Sequence, residues 1–385
     1  MPKTFPVTRP RSRSESVAPR AGEVANSDDL PVRDDLRGQS PYGAPQIDVP
    51  VLLNVNENPY PPSESLVADV AIAVADATRS LNRYPDRDAR ALRADLAAYL
   101  LEESGVALTP GQVWAANGSN EVMLQLMQTF GGPGRVALGF SPTYSMYPDY
   151  CRDTFTRYVT VPRAVDFTVD LDSALAAIAE HRPSVVLLAS PNNPTGTALS
   201  LDAVRAILAE AHGVVVVDEA YAEFRHAGVP SALELLADHP RLVVTRTMSK
   251  AFALAGARVG YLAASEAVVD AVQLVRLPYH LSSITQAVAR SALAHAGELQ
   301  AQVALLREQR DALVEWLRGR GHVVADSDAN FIFFGLFDDR HAIWQGLLER
   351  GVLIRETGPD HWLRVSVGTP QENAAFRAAL EEVTA

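Results

Sequence analysis

Lysine is nearly missing from this chain. Of its 34 Lys and Arg residues only Lys3 and Lys250 are lysines, and every other cation is an arginine. Cysteine is scarcer still: Cys151 stands alone, which excludes an intramolecular disulfide and a cysteine-built metal site. No apolar run approaches ~18 residues, so no membrane-spanning helix is expected. Positive charge is in deficit, 34 against 46 Asp and Glu, for a net charge of -12 at pH 7. That balance argues against nucleic acid as the main partner and for a soluble, cytoplasmic protein. Absent too are a G-x-G-x-x-G after a strand, a Walker lysine, H-E-x-x-H and G-x-S-x-G. The nine histidines are scattered without metal-ligand spacing, and no metal is expected.

What is present is the composition of a soluble globular protein, 48% apolar and 21% charged. A length of 385 residues predicts two lobes rather than one core. The first ~30 residues are polar and rich in Pro, Arg and Ser, with no apolar core of a secretory signal, and predict a disordered extension. From about residue 63 helix-like periodicity alternates with short β-branched runs. "SVVLLAS" (184–190), "GVVVVDE" (213–219) and "RLVVTR" (241–246) predict buried parallel strands, and "LSLDAVRAILAEA" (199–211) a helix with Ser200 at its N-cap. The fold class is therefore α/β, a mostly parallel sheet sandwiched by helices. After about residue 281 a long helical stretch (284–321), strands near 330–335, 352–355 and 362–367, and a last helix at 370–383 predict a smaller α+β lobe.

Ligands of open α/β sheets sit beyond the carboxyl ends of the strands. Here those ends deliver Asn193 in "PNNPTG", Asp218 with Tyr221 close behind, and Lys250 after a short turn. Arginine would serve wherever charge alone is needed. A lysine can also lose its proton and attack a carbonyl. "NGSNE" (117–121) follows a predicted strand and opens a helix, so backbone N–H groups at Ser119 and Asn120 would face an anion. Ser249 adds a hydroxyl and Arg258 a charge-assisted donor. Taken singly, Asn193 could be a turn residue, "NGSNE" a plain helix start and Arg258 a solvated cation.

The blocks "SPNNPTG", "VVDEAYAEF" and "TMSKAFALAGARVGY" resemble the signature blocks of fold-type I pyridoxal-phosphate aminotransferases. The likeness extends to "PYGAP", "LNVNENPYPP", "RYPD", "SPTYSMYP", "RLPYHLSSITQAVA" and "LIRETG…WLRVSVGT". Over roughly residues 35–383 the chain resembles the histidinol-phosphate aminotransferases of the class II subgroup. The resemblance implies a disordered extension over 1–34, an N-terminal arm with part of a small domain over 35–74, a large cofactor-binding domain over 75–280 and a small domain over 281–385. It implies pyridoxal 5'-phosphate as cofactor, held covalently by Lys250, which would then move the substrate's proton as general base and acid. Asp218 would pair with the ring nitrogen, Asn193 and Tyr221 would hydrogen-bond the ring oxygen, and Tyr144 would stack on the ring. Ser119, Asn120, Thr247, Ser249 and Arg258 would hold the cofactor phosphate, with Tyr84 reaching it from the other subunit of a homodimer.

The implied reaction is transamination between L-histidinol phosphate and 2-oxoglutarate, giving imidazole-acetol phosphate and glutamate, in histidine biosynthesis. Arg364 and Arg355 would take the substrate phosphate, Tyr42 would close over it, and Asn330 would line the same pocket. Asn120 departs from the aspartate that many relatives carry there; a backbone N–H contact survives that change. An aromatic amino acid (phenylalanine) aminotransferase and a threonine-phosphate decarboxylase share the cofactor residues and remain open as alternatives. A regulator that uses such a domain as a sensor needs a DNA-binding module, for which residues 1–34 lack length and apolar pattern.

Overall fold

The computed structural model describes residues 29–385, so most of the extension expected over 1–34 lies outside the described residues. The chain divides into one unit ending at Gly43 and another spanning Ala44–Ala385. In the first, a short turn at Asp34–Leu36 is preceded by an Arg33–Asp35 ion pair at 2.6 Å.

The second unit begins with β1 (Val51–Leu52), α1 (Glu64–Thr78) and α2 (Arg90–Ser104). It continues with β2 (Val113–Ala116), α3 (Ser119–Phe130), β3 (Val136–Ser141), α4 (Tyr147–Asp153), β4 (Arg157–Pro162) and α5 (Leu171–His181). Then come β5 (Val185–Ala189), α6 (Leu201–Glu210), β6 (Val214–Asp218), β7 (Leu242–Thr247), β8 (Gly260–Ala264) and α7 (Glu266–Gln273). After α8 (Ser283–Ala294) and α9 (Ala296–Gly319) the chain forms β9 (Val323–Val324), β10 (Phe331–Gly335) and α10 (Arg340–Glu349). It ends with β11 (Val352–Leu353), β12 (Arg355–Glu356), β13 (Trp362–Ser366) and α11 (Pro370–Thr384).

Seven strands form one sheet in the order β2-β8-β7-β6-β5-β3-β4. β8 runs antiparallel to both neighbours, and the remaining pairs are parallel. Every residue of β5, β6 and β7 is buried. The Val and Leu runs with which they open suit strands covered by helices on both faces. Helices start where a short side chain can take an orphaned N–H. Ser63 accepts from Leu66 and Ser200 from Ala203, while Thr369 and Glu372 form a reciprocal box around Pro370. A second sheet, β12-β13-β10-β9, carries the C-terminal part, and β1 pairs with β11 in a small parallel ladder.

Two expected elements divide. The helical stretch 284–321 breaks at His295, whose backbone leaves the helical region at φ -104° and ψ 18°. The break is held by the His295 ring, 2.8 Å from an Asp69 carboxylate oxygen and 3.3 Å from one of Glu298. The strand near 352–355 is shared between two sheets: Val352 and Leu353 pair with β1, Arg355 and Glu356 with β13. Behind the central strands lies a buried ionic cluster, with Arg246 2.7 Å from Glu219 and 3.3 Å from Glu223. Removing one partner of such a cluster costs about 3–5 kcal/mol, because it strands a buried charge. Asp218 and Thr245, one residue earlier on β6 and β7, therefore project from the opposite face.

Candidate active site

The carboxyl ends of β5, β6 and β7 converge three chemistries. β7 ends at Thr247, and the turn after it presents Lys250, whose Nζ donates to the Val55 carbonyl at 2.9 Å. Burial, with Arg364 and Arg258 in the same field and Glu57 opposing them, holds the Lys250 ammonium down to about 8. A neutral, nucleophilic amine is thus available near neutral pH. β6 ends on Asp218. Its carboxylate accepts from Tyr147 Oη at 3.1 Å and from Thr245 Oγ1 at 3.0 Å. No Lys, Arg or His among the described residues pairs with it. Burial pushes the Asp218 carboxyl up, against the pull of the two hydroxyls. The Tyr147 phenol is pushed well up by burial and by Asp218, so it stays protonated and donates.

The loop after β5 is fixed by Asn192. Its amide donates to Pro142 O at 3.0 Å and Thr195 Oγ1 at 2.8 Å, and it accepts from Thr143 at 3.1 Å. Asn193 is left facing Arg364, whose guanidinium donates to Asn193 Oδ1 at 2.5 Å. Since arginine only donates, the Asn193 amide oxygen must be the acceptor and its NH2 points elsewhere. Tyr221 Oη accepts from Asn56 Nδ2 at 3.1 Å, with its ring edge-on to Phe331.

A cup of donors lies beside the lysine. Ser119 is the first residue of α3, where N–H groups have no partner within the helix and the dipole favours an anion. Gly260, at the start of β8, packs so tightly there that a Cβ would lie 2.1 Å from the Ser119 nitrogen. Thr247 and Ser249 share a hydroxyl hydrogen bond of 3.0 Å, and Arg258 reaches Ser249 Oγ at 3.4 Å. The Asn120 side chain does something the sequence did not suggest: its Oδ1 accepts from both Tyr144 (3.2 Å) and Tyr150 (2.9 Å). This clamp orients the Tyr144 ring, which also packs edge-on against Tyr147.

The C-terminal sheet supplies the arginines. In the β12–β13 ladder Arg355 stands directly opposite Arg364. Arg364 is buried, donates to Asn54 O at 2.7 Å and lies 5.2 Å over the Phe331 ring. Asn330 donates to Asn56 O at 3.1 Å, while its own Oδ1 is buried with no hydrogen-bond partner among the described residues. Segment 54–57 thus threads between Lys250, Tyr221, Asn330 and Arg364.

One expected residue is not drawn into this cluster. Tyr84 is 79% exposed and stacks on Tyr279 with ring centroids 4.3 Å apart. Tyr42 belongs to the unit that ends at Gly43. Conversely, Tyr147, Thr245, Asn54 and Asn56 were not singled out from sequence. For Asn54 and Asn56 the one signal was the run "LNVNENP", three asparagines in six residues; Tyr147 and Thr245 had none of that kind.

Comparison with known proteins agrees with this arrangement. Residues 49–380 match the family described as aminotransferase class I and II. The histidinol-phosphate aminotransferase 3 of Burkholderia lata is 64% identical over 357 residues, covering 93% of this chain and 96% of its own. The histidinol-phosphate aminotransferase of Thermobifida fusca is likewise 64% identical, again over 93% of this chain and 96% of its own. Among solved structures, the histidinol-phosphate aminotransferase of Sinorhizobium meliloti in complex with pyridoxal-5'-phosphate superimposes with a TM-score of 0.77. It is 26% identical and covers 87% of this chain and 91% of its own. The chain belongs to the class I and II aminotransferases, and within them to the family of the histidinol-phosphate aminotransferases.

Proposed function

We propose that the protein transfers the amino group of L-histidinol phosphate to 2-oxoglutarate, using pyridoxal 5'-phosphate, as a step of histidine biosynthesis in the cytoplasm. The observation that carries the substrate is the register of Arg355 against Arg364. Directly opposed on neighbouring strands, the two guanidinium groups can grip one anion together, and a phosphate dianion satisfies two guanidinium forks better than a carboxylate does. The curated relatives above carry the histidinol-phosphate name, which favours this substrate over phenylalanine or threonine phosphate.

The residues present fit the cofactor on three counts. Asp218 is a buried carboxylate that lacks a cation among the described residues. The start of α3 with Thr247, Ser249 and Arg258 forms an anion cup. Lys250 is a buried amine poised near neutral pH. When bound, the cofactor supplies a reactive aldehyde and an electron-accepting pyridinium ring. Asp218 would keep the ring nitrogen protonated, and Tyr147 and Thr245 would hold Asp218 in place. Tyr221 and the Asn193 amide would hydrogen-bond the ring oxygen, and Tyr144, oriented by Asn120, would cover the ring face. Lys250 Nζ would hold the cofactor at its aldehyde carbon and would serve as the group that carries the proton of the substrate carbon. Because Arg364 also grips Asn193, substrate binding and ring hydrogen bonding are linked through one side chain.

The domain limits expected from the sequence, a large domain over 75–280 and a small one over 281–385 joined by part of 35–74, are proposed with this function. So is a homodimer in which Tyr84, exposed here, completes the neighbouring phosphate cup. The test is to load the protein with pyridoxal phosphate and follow its visible absorbance on adding single amines without an acceptor. Histidinol phosphate should convert the spectrum and phenylalanine should leave it nearly unchanged. Conversion by phenylalanine alone, or CO2 from threonine phosphate, would replace the proposal with the corresponding alternative.

A further inference from the structure

At the other end of the seven-stranded sheet, where β5, β6 and β7 begin, lies an open groove of about 700 Å³. Its lining includes Arg135, Arg182, Arg241 and His212, and no aspartate or glutamate. None of these arginines pairs with a carboxylate among the described residues, in a chain that carries 46 acids against 34 bases. Their placement is fixed by the backbone. Arg135 donates to Phe130 O at 3.0 Å, and Arg241 to His212 O at 2.7 Å, which anchors each guanidinium by one nitrogen and leaves the others for a ligand. Arg182 caps α5 in the left-handed region, at φ 43° and ψ 57°, a position usually given to glycine. At Gly213 a Cβ would lie 2.1 Å from Ser184 O, so the loops that open β5 and β6 are pressed together there. Phe130 and Pro183 supply apolar wall. The volume lies in the range of small-molecule sites.

We propose that this groove binds a phosphate-bearing small molecule of nucleotide size, its phosphates on Arg135, Arg182 and Arg241 and its apolar body against Phe130 and Pro183. The site is separate from the active site and independent of the substrate assigned above. Convergent guanidinium groups without acids favour an anion of more than one charge, and the apolar wall favours a body beyond the phosphate itself.

The test is titration calorimetry of the cofactor-loaded full chain with ADP, with adenosine and inorganic pyrophosphate as parallel probes. ADP should bind saturably, one per chain, below about 1 mM; adenosine should not bind, and pyrophosphate should bind more weakly. The double variant Arg182→Gly, Arg241→Gln should weaken ADP about a hundredfold, since each charged hydrogen bond is worth about tenfold. Glycine suits the backbone at 182, and Arg135→Gln provides a second variant should the first fold poorly. The visible absorbance of the bound cofactor should be the same in all variants. No saturable ADP binding, or equal affinity in the variants, would overturn the site. Pyrophosphate binding as tightly as ADP would remove the apolar body from the proposal. A change of oligomeric mass in the variants would make the groove a subunit contact instead.

Discussion

Both ends of the main sheet gather arginines, but they do so differently. At the carboxyl end Arg364 is buried, bonded to Asn193 and Asn54, and acts on Lys250 together with the opposing charge of Glu57. At the amino end Arg135, Arg182 and Arg241 are exposed and unmixed with acids, the first and last held by backbone carbonyls. The difference teaches what each end can do. Burial, and after it the like charge of Arg364, depresses Lys250 to about 8, so the amine there can exchange protons. Exposed charges of one sign can attract an ion of the other.

The sharpest way to break the contrast is Lys250→Ala. Turnover should fall by at least about 10⁴-fold, because nucleophile and proton carrier are lost together, while circular dichroism and thermal melting stay native. Appreciable multiple turnover in that variant would mean that the carboxyl end is not the catalytic one. Arg364→Ala comes next. Losing a buried, hydrogen-bonded cation should lower kcat/KM for histidinol phosphate by about 10²-fold or more. Arg355→Ala, at a half-buried position, should do less. Equal losses would show that the two arginines act as one fork rather than as anchor and helper.

Much of this was legible in the sequence, and the limits are physical. Fully buried parallel strands announce themselves as Val and Leu runs, and the residues just past each run mark the ligand end. Lys250, Asp218 and Asn193 could therefore be placed by counting from the strands. Asn120 was read for its backbone, yet its side chain clamps Tyr144 and Tyr150, a contact across 24 and 30 residues that no local pattern encodes. Tyr147 and Thr245 were missed for the same reason: their hydroxyls matter only once β6 and β7 are side by side with α4 above them. The split of 352–355 between two sheets depends on β1, some 300 residues away. Arg135, Arg182 and Arg241 are likewise scattered over the chain and meet only in the fold.

A third, smaller effect sharpens the electrostatic side. Lys250 carries a depressed proton affinity, so its neutral form should appear at lower pH than that of an ordinary lysine, for which the value is 10.5. The rate at which cofactor-free protein takes up pyridoxal phosphate should rise with pH and level off just above about 8. A rise continuing past pH 10 would show that burial does not reach the amine. In Tyr147→Phe, Asp218 keeps one hydroxyl donor instead of two. Its carboxyl should then be pushed further up, and kcat should drop about five- to tenfold.

The smallest effect belongs to the amino end and has the opposite sign. Arg182 occupies a left-handed conformation in which any side chain but glycine or asparagine is strained by about 1 kcal/mol. Arg182→Gly should therefore raise the melting temperature by about 1 °C, or leave it level after glycine's own entropy cost, and should not change kcat or KM for transamination. A lower melting temperature would mean that the guanidinium holds the groove together, and so is structural. A stabler protein with full activity would mean that the arginine is kept at this strained corner for something other than folding or catalysis, which at an acid-free groove is the binding of an anion.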